Sequence, residues 1–204
     1  MCGIVGYTGH RQALPVLTKG LYTLEYRGYD SAGVAVETPE GLRVVKTKGR
    51  MKTLDEKIEA AGGLQGTCGI GHTRWATHGA PSDVNAHPHL SQDGRFAVVH
   101  NGIVENYLEL RHELQKDGFV FKSETDTETI AHLFQKLYCG DMVKTLSAVV
   151  RRLHGGYALS VISADNPGEM VCVRQDNPLI VGFGEGENMI ASDIPAILPI
   201  TRRY

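Results

Sequence analysis

Residues 33–48 read GVAVETPEGLRVVKTK, and this stretch decides the fold class. Two runs rich in β-branched residues, 33–37 and 42–48, flank Pro39, Glu40 and Gly41. Strand, turn, strand at that spacing is a hairpin signature, and a hairpin commits its strands to antiparallel pairing. Upstream, residues 3–7 form a short apolar run without helical spacing, which reads as a buried strand. Leu14, Leu17, Leu21 and Leu24 recur at intervals of three and four, so an amphipathic helix begins near Gln12. A polar turn with Gly28 and Gly33 spans 26–33. Downstream, Met51, Leu54, Ile58 and Ala61 mark a short helix stopped by Gly62 and Gly63.

The remainder continues in clusters. Residues 68–73 and 96–101 read as strands, the second running into Gly102. Tyr107, Leu110 and Leu114 predict a helix that ends at Gly118. Thr125 followed by Glu128 predicts a capping box for a helix with an apolar face of Ile130, Leu133, Phe134 and Leu137. Met142, Leu146, Val149, Val150 and Leu153 predict another. Strands are expected at 157–163, 170–174, 179–182 and 188–191, and residues 198–204 resemble the start of a further element. Elements that cluster rather than alternate, joined by short links, argue for an α+β fold with antiparallel sheet and against a doubly wound parallel one.

Composition excludes several classes. The chain has 204 residues, 42% hydrophobic and 22% charged, with a formal net charge of -2. That length suits one large domain or two small ones, with a core of useful size. Nothing in the charge points to nucleic acid or to a membrane surface. No apolar run is long enough to span a bilayer, and no signal peptide precedes the first strand. A cytoplasmic protein is expected. No Walker-type loop or dinucleotide-binding glycine pattern is present. Among four cysteines, Cys68 and Cys172 lie in apolar runs and read as small core residues. Cys139 ends a helical pattern, and no disulfide is expected.

Cys2 differs because of its position. Trimming of Met1 leaves a residue that carries both a thiol and a free α-amine. That amine, with an ordinary pKa of about 7.7–8.0, can take the thiol proton at neutral pH, as an N-terminal threonine's amine does for its hydroxyl. Asn101 and Gly102 sit where a strand ends, so a side-chain amide and a backbone N–H can both point at one developing oxyanion. Arg74 can fork onto a carboxylate. Asp126, at the start of a helix, can hold an ammonium, although acidic residues favour that place without any ligand. Residues 74–94 have no clear period and contain three histidines and the only tryptophan, Trp75; such a loop is uncommon unless it is functional. Five histidines, His72, His78, His87, His89 and His100, raise the possibility of zinc, but their spacing matches no standard zinc pattern.

Six motifs, in order, bring these residues together: CGIVG at 2–6, EYRGYDSAG at 25–33, HTRWATHG at 72–79, NAHPH at 85–89, HNGIVEN at 100–106 and SETDTE at 123–128. The chain resembles, from residue 2 to its last residue, the N-terminal glutaminase domain of the glutamine–fructose-6-phosphate amidotransferase family. The resemblance implies an N-terminal-nucleophile hydrolase, an αββα sandwich with two antiparallel sheets between helical layers. It implies that residues 1–204 are one glutaminase domain, truncated from a longer enzyme whose sugar-isomerase domains are absent here.

The resemblance also implies that Cys2 forms a γ-glutamyl thioester from L-glutamine, with Asn101 and Gly102 as the oxyanion hole. Arg74, Thr77 and His78 would close over the carboxylate end of glutamine, and Gly102 and Asp126 would hold its α-amine. Trp75 would gate an ammonia channel, with supporting roles for Arg27 and His87. No metal or cofactor is implied. In the longer enzymes the ammonia goes to fructose 6-phosphate, bound by the missing domains, and a homodimer is a possible assembly. The second motif separates this branch from the purine one, which tends to have His-Arg-Gly-Gln-Asp-Ser at that place. A regulatory module that kept the fold without the activity is the remaining alternative.

Overall fold

The computed structural model describes residues 2–76 and 79–204. Its strands form two antiparallel sheets. Strands β1 (Gly3–Thr8), β2 (Ser31–Thr38), β3 (Gly41–Lys48), β4 (Cys68–Arg74), β9 (Ile180–Phe183) and β10 (Asn188–Ala191) make a six-stranded sheet in the order β3-β2-β4-β1-β10-β9. Strands β5 (His89–Leu90), β6 (Phe96–Gly102), β7 (Tyr157–Ser163) and β8 (Met170–Gln175) make a four-stranded sheet in sequence order. The hairpin read from residues 33–48 is β2 and β3, paired from Ser31↔Lys48 to Thr38↔Gly41.

The sheets stack face to face, and helices cover both outer faces. Against the larger sheet lie α1 (Ala13–Thr23), α2 (Met51–Ala60) and α6 (Ile194–Ile197), sharing a core with Val5, Tyr7, Val34 and Val36. Against the smaller lie α3 (Tyr107–Lys116), α4 (Asp126–Leu137) and α5 (Met142–Val150), packed on Phe96, Val98, Leu159 and Val161. A third core, containing Ile4, Ala35, Ile70, Ala97, Val99 and Ala158, fills the space between the sheets. This is the expected αββα sandwich, with helical and strand periods each sorting side chains to their layer.

The period of two also explains where the polar residues go. Residue 4 of β1, residues 68 and 70 of β4 and residues 97 and 99 of β6 point between the sheets. The same rows continue into Cys2, into His72 and Arg74, and into Asn101. Apolar residues fill the middle of the sandwich, and the polar ends of three rows meet at one edge of it.

Four details differ from the sequence reading. Thr125 is the N-cap of α4, but its side chain makes no cap hydrogen bond. Its hydroxyl instead bonds His89 Nε2 at 3.0 Å. Glu128 reaches past the cap to accept from the backbone N–H groups of Lys122 at 2.8 Å and Ser123 at 2.7 Å, so the reciprocal box does not form. The short helix α6 carried no periodic signal, being only one turn long. Residues 198–204 form no helix or strand; they return along the edge strand, where Phe183 N–H donates to Arg203 O at 2.8 Å. Cys68 is buried as expected, whereas Cys172 is only partly so.

Candidate active site

A cavity of about 270 Å³ opens at the polar edge of the sandwich, lined by Cys2, Arg27, Arg74, Trp75, Asn101, Gly102 and Asp126 among others. Strand register brings these distant residues together. Gly3 pairs with Thr73 and Ser31 with Arg74, so the residue before β1 lies beside the end of β4. Cys2 Sγ accepts from Trp75 N–H at 3.3 Å and donates to Trp75 O at 3.5 Å. Burial pushes the Cys2 thiol up from its ordinary value, while the Trp75 N–H and nearby positive charge pull it only partly back. A thiol in that state is not a ready-made thiolate and needs a base.

The Cys2 carbonyl is held from two sides, by Arg27 Nε at 3.1 Å and Asn101 Nδ2 at 3.1 Å. Asn101 Nδ2 also donates to Ser192 Oγ at 3.0 Å. Gly102 follows on the β6–β7 ladder. Ile103 N–H donates to Gly156 O at 3.3 Å, and neighbouring residues of a strand point their N–H groups to opposite sides. The Gly102 N–H is therefore turned away from β7. Its φ of +117° and the 2.1 Å separation of a hypothetical Cβ from Gly156 O admit only glycine.

Asp126 is the first residue of α4. One oxygen accepts from Val104 N–H at 2.9 Å. Arg74 is buried at the end of β4, and its Nη2 donates to Gly79 O at 3.0 Å. Trp75 is about half exposed and meets the Tyr29 ring edge-on with centroids 5.5 Å apart. Thr77 and His78 lie outside the described residues.

The second motif braces this region. Arg27 anchors Cys2. A Cβ at Gly28 would lie 2.6 Å from the backbone carbon of Arg74, so only glycine allows the two segments to approach so closely. Asp30 accepts the Ala76 N–H on one carboxylate oxygen. Asp30, Ser192, His72 and Thr127, not singled out as catalytic or substrate-binding from the sequence, hydrogen-bond into this region. Asp30, His72 and Thr127 lie inside quoted motifs; Ser192 carried no signal.

His72, His87, His89 and His100 form a buried layer behind the cavity. His72 and His87 stack at 4.2 Å, and His87 meets His89 edge-on at 4.8 Å. Thr127 Oγ1 bridges His87 Nε2 at 2.8 Å and His100 Nδ1 at 2.9 Å. Among the described residues no group of three or more His, Cys, Asp or Glu is arranged to hold a metal ion.

Burial holds His72 down to about 3, His87 and His89 well below their ordinary value, and His100 lowered. His72, His87 and His89 stay neutral when folded but take up a proton when unfolded below about pH 6.5. The unfolded chain then binds more protons, so stability falls as pH drops from about 6.5, for His72 down to about 3. Urea unfolding between about pH 7.5 and about pH 5 is expected to show a loss of stability, with His72 alone approaching roughly 1.4 kcal/mol per pH unit below about pH 6. An unfolding midpoint that stays level across that range would contradict a neutral buried layer.

A family model described as a glutamine amidotransferase domain matches residues 72–199. The chain is 57% identical over 203 residues to a glutamine–fructose-6-phosphate aminotransferase (isomerizing) of Thermus thermophilus, covering 100% of this chain and 33% of that enzyme. Its counterpart from Aquifex aeolicus is 55% identical over 205 residues, with 34% of that enzyme covered. Among solved structures, the glutamine phosphoribosylpyrophosphate amidotransferase of B. subtilis superposes with a TM-score of 0.83 at 28% identity, over 98% of this chain and 44% of that one. A glutamine aminotransferase class-II domain protein from Silicibacter pomeroyi shares the fold, with a TM-score of 0.64 at 15% identity over 93% of this chain and 88% of that one. The chain spans about a third of the length of the curated relatives it matches.

Proposed function

Since the chain belongs to the glutamine amidotransferase family, we propose that it hydrolyses L-glutamine to L-glutamate and ammonia through Cys2. The observation that carries this reading is the single cavity shared by Cys2, Asn101, Gly102, Arg74 and Asp126. The Cys2 sulfur attacks the side-chain amide carbon as its proton passes to the α-amine freed by loss of Met1, a residue outside those described. Negative charge moves to the carbonyl oxygen, which the Asn101 amide and the Gly102 N–H stabilise. The tetrahedral intermediate collapses, the carbon–nitrogen bond breaks, and the amine's proton leaves with the nitrogen as ammonia. Water, deprotonated by the same amine, then cleaves the thioester to glutamate and restores the thiol.

Arg74 would pair with the α-carboxylate of glutamine, joined by Thr77 and His78. Asp126 and the Gly102 carbonyl would take the α-ammonium. Trp75, exposed at the mouth, would gate the passage of ammonia, with Arg27 holding Cys2 and His87 backing the floor. The sugar branch is favoured over the purine one by the higher identity to the fructose-6-phosphate enzymes. On that likeness, the chain is the glutaminase part of a cytoplasmic, homodimeric enzyme that aminates fructose 6-phosphate in hexosamine synthesis. Among the described residues no helix is long and apolar enough to cross a membrane.

The test is steady-state glutamine hydrolysis by wild type and Asp126→Asn. Losing the carboxylate charge removes an ion pair with the substrate ammonium, a charged hydrogen bond of roughly 1.5–3 kcal/mol. KM for glutamine is expected to rise roughly ten- to hundredfold with a smaller change in kcat. Wild type that releases no ammonia from glutamine would defeat the reading, and an unchanged KM would remove Asp126 from it.

A further inference from the structure

We infer that His72 is a positioning residue for this hydrolysis: its Nε2–H holds the Asn101 carboxamide with the nitrogen end toward Cys2. The inference rests on the glutaminase reading above. His72 Nε2 lies 3.0 Å from His100 O and 2.9 Å from Asn101 Oδ1. A backbone carbonyl only accepts, so Nε2 must carry the ring's proton. At the other end of the amide, Nδ2 lies 3.1 Å from Cys2 O, again a group that only accepts. Both contacts therefore fix the orientation of Asn101, and the assignment follows from two carbonyls rather than from a choice between similar atoms.

The second ring nitrogen, Nδ1, is buried without a hydrogen-bond partner among the described residues. That suits a neutral ring with one proton and would strand the second proton of a charged one. The ring is wholly buried and lies against His87, so it has no freedom to offer its other face.

Without the His72 proton, the present orientation leaves the buried Asn101 Oδ1 with no donor among the described residues, so the reversed amide predominates. Its nitrogen would donate to His100 O, and the Ser192 hydroxyl, now an acceptor from Asn101 and from Ile4 N–H at 2.8 Å, would turn to donate to the displaced oxygen. The reversed state sets an oxygen lone pair where the developing oxyanion needs a donor. It therefore impairs the chemical step rather than substrate capture.

The experiment compares His72→Leu and His72→Gln, each alone and in an Asn101→Ala background, by glutamine hydrolysis. Leucine removes the donor, whereas the terminal amide of glutamine sets an N–H near the position of Nε2. For His72→Leu, kcat is expected to fall about ten- to hundredfold with KM within about threefold. His72→Gln should return to within about threefold of wild type. In the Asn101→Ala background His72→Leu should change kcat less than about twofold, since it acts through an amide no longer there.

A loss of equal size in both backgrounds, or none in either, overturns the inference while leaving the function intact. Wild type without turnover defeats the functional reading instead. Should the leucine variant not fold, ¹⁵N NMR of histidine-labelled wild type at neutral pH decides the tautomer. A proton on Nε2 alone is expected, and one on Nδ1 would overturn the inference.

Discussion

Cys2→Ala is expected to reduce glutamine hydrolysis by at least about a thousandfold, because removing a nucleophile leaves only what binding and the oxyanion hole supply. Cys2→Ser should recover little, since a hydroxyl is a far weaker nucleophile than a thiol at neutral pH. The fold should survive both changes. Cys2 belongs to none of the three apolar cores, so the unfolding midpoint should stay within about 3 °C, the shift from roughly 1 kcal/mol at this length. Labelling by 6-diazo-5-oxo-norleucine should disappear with the thiol. The same chemistry predicts that chains retaining Met1 are nearly inactive, because the Cys2 nitrogen is then an amide without a basic lone pair. Full activity in material shown by intact-mass measurement to keep Met1 would refute the amine as base.

Asn101→Ala is the second large effect. One preorganised donor to an oxyanion is typically worth about a hundred- to thousandfold in kcat. The loss should appear in kcat with KM nearly constant, because the amide meets charge that exists only during reaction. Asn101 also holds the Cys2 carbonyl and Ser192, so some loss of stability is expected as well. The kinetic split is the decisive readout: a pure rise in KM would assign Asn101 to substrate binding instead.

Much of the fold was legible because its signals are local. The hairpin at 33–48 and the leucines of α1 each follow from a pattern that one stretch of chain carries by itself. The capping box failed for the opposite reason. Thr125 had the right neighbour in sequence, but His89, brought in from 36 residues away, bonded its hydroxyl. The one-turn α6 was too short for any period to register. The six motifs marked where chemistry would concentrate, and Arg27 and Asp30 show why the second of them is built as it is. They brace Cys2 and the chain after Arg74.

From its residues alone, the chain determined which side chains line the same face of each strand, and it supplied a thiol, an amide, a guanidinium and a carboxylate at strand and helix ends. Only the stacking of two sheets decided that these ends meet. Cys2 and Asn101 are 99 residues apart and Asn101 and Ser192 are 91 apart. The orientation of the amide between them depends on His72 from the opposite sheet. Local periodicity sets the direction of a side chain relative to its own backbone, but the distance between two such side chains is a property of packed layers, which no single stretch of sequence contains.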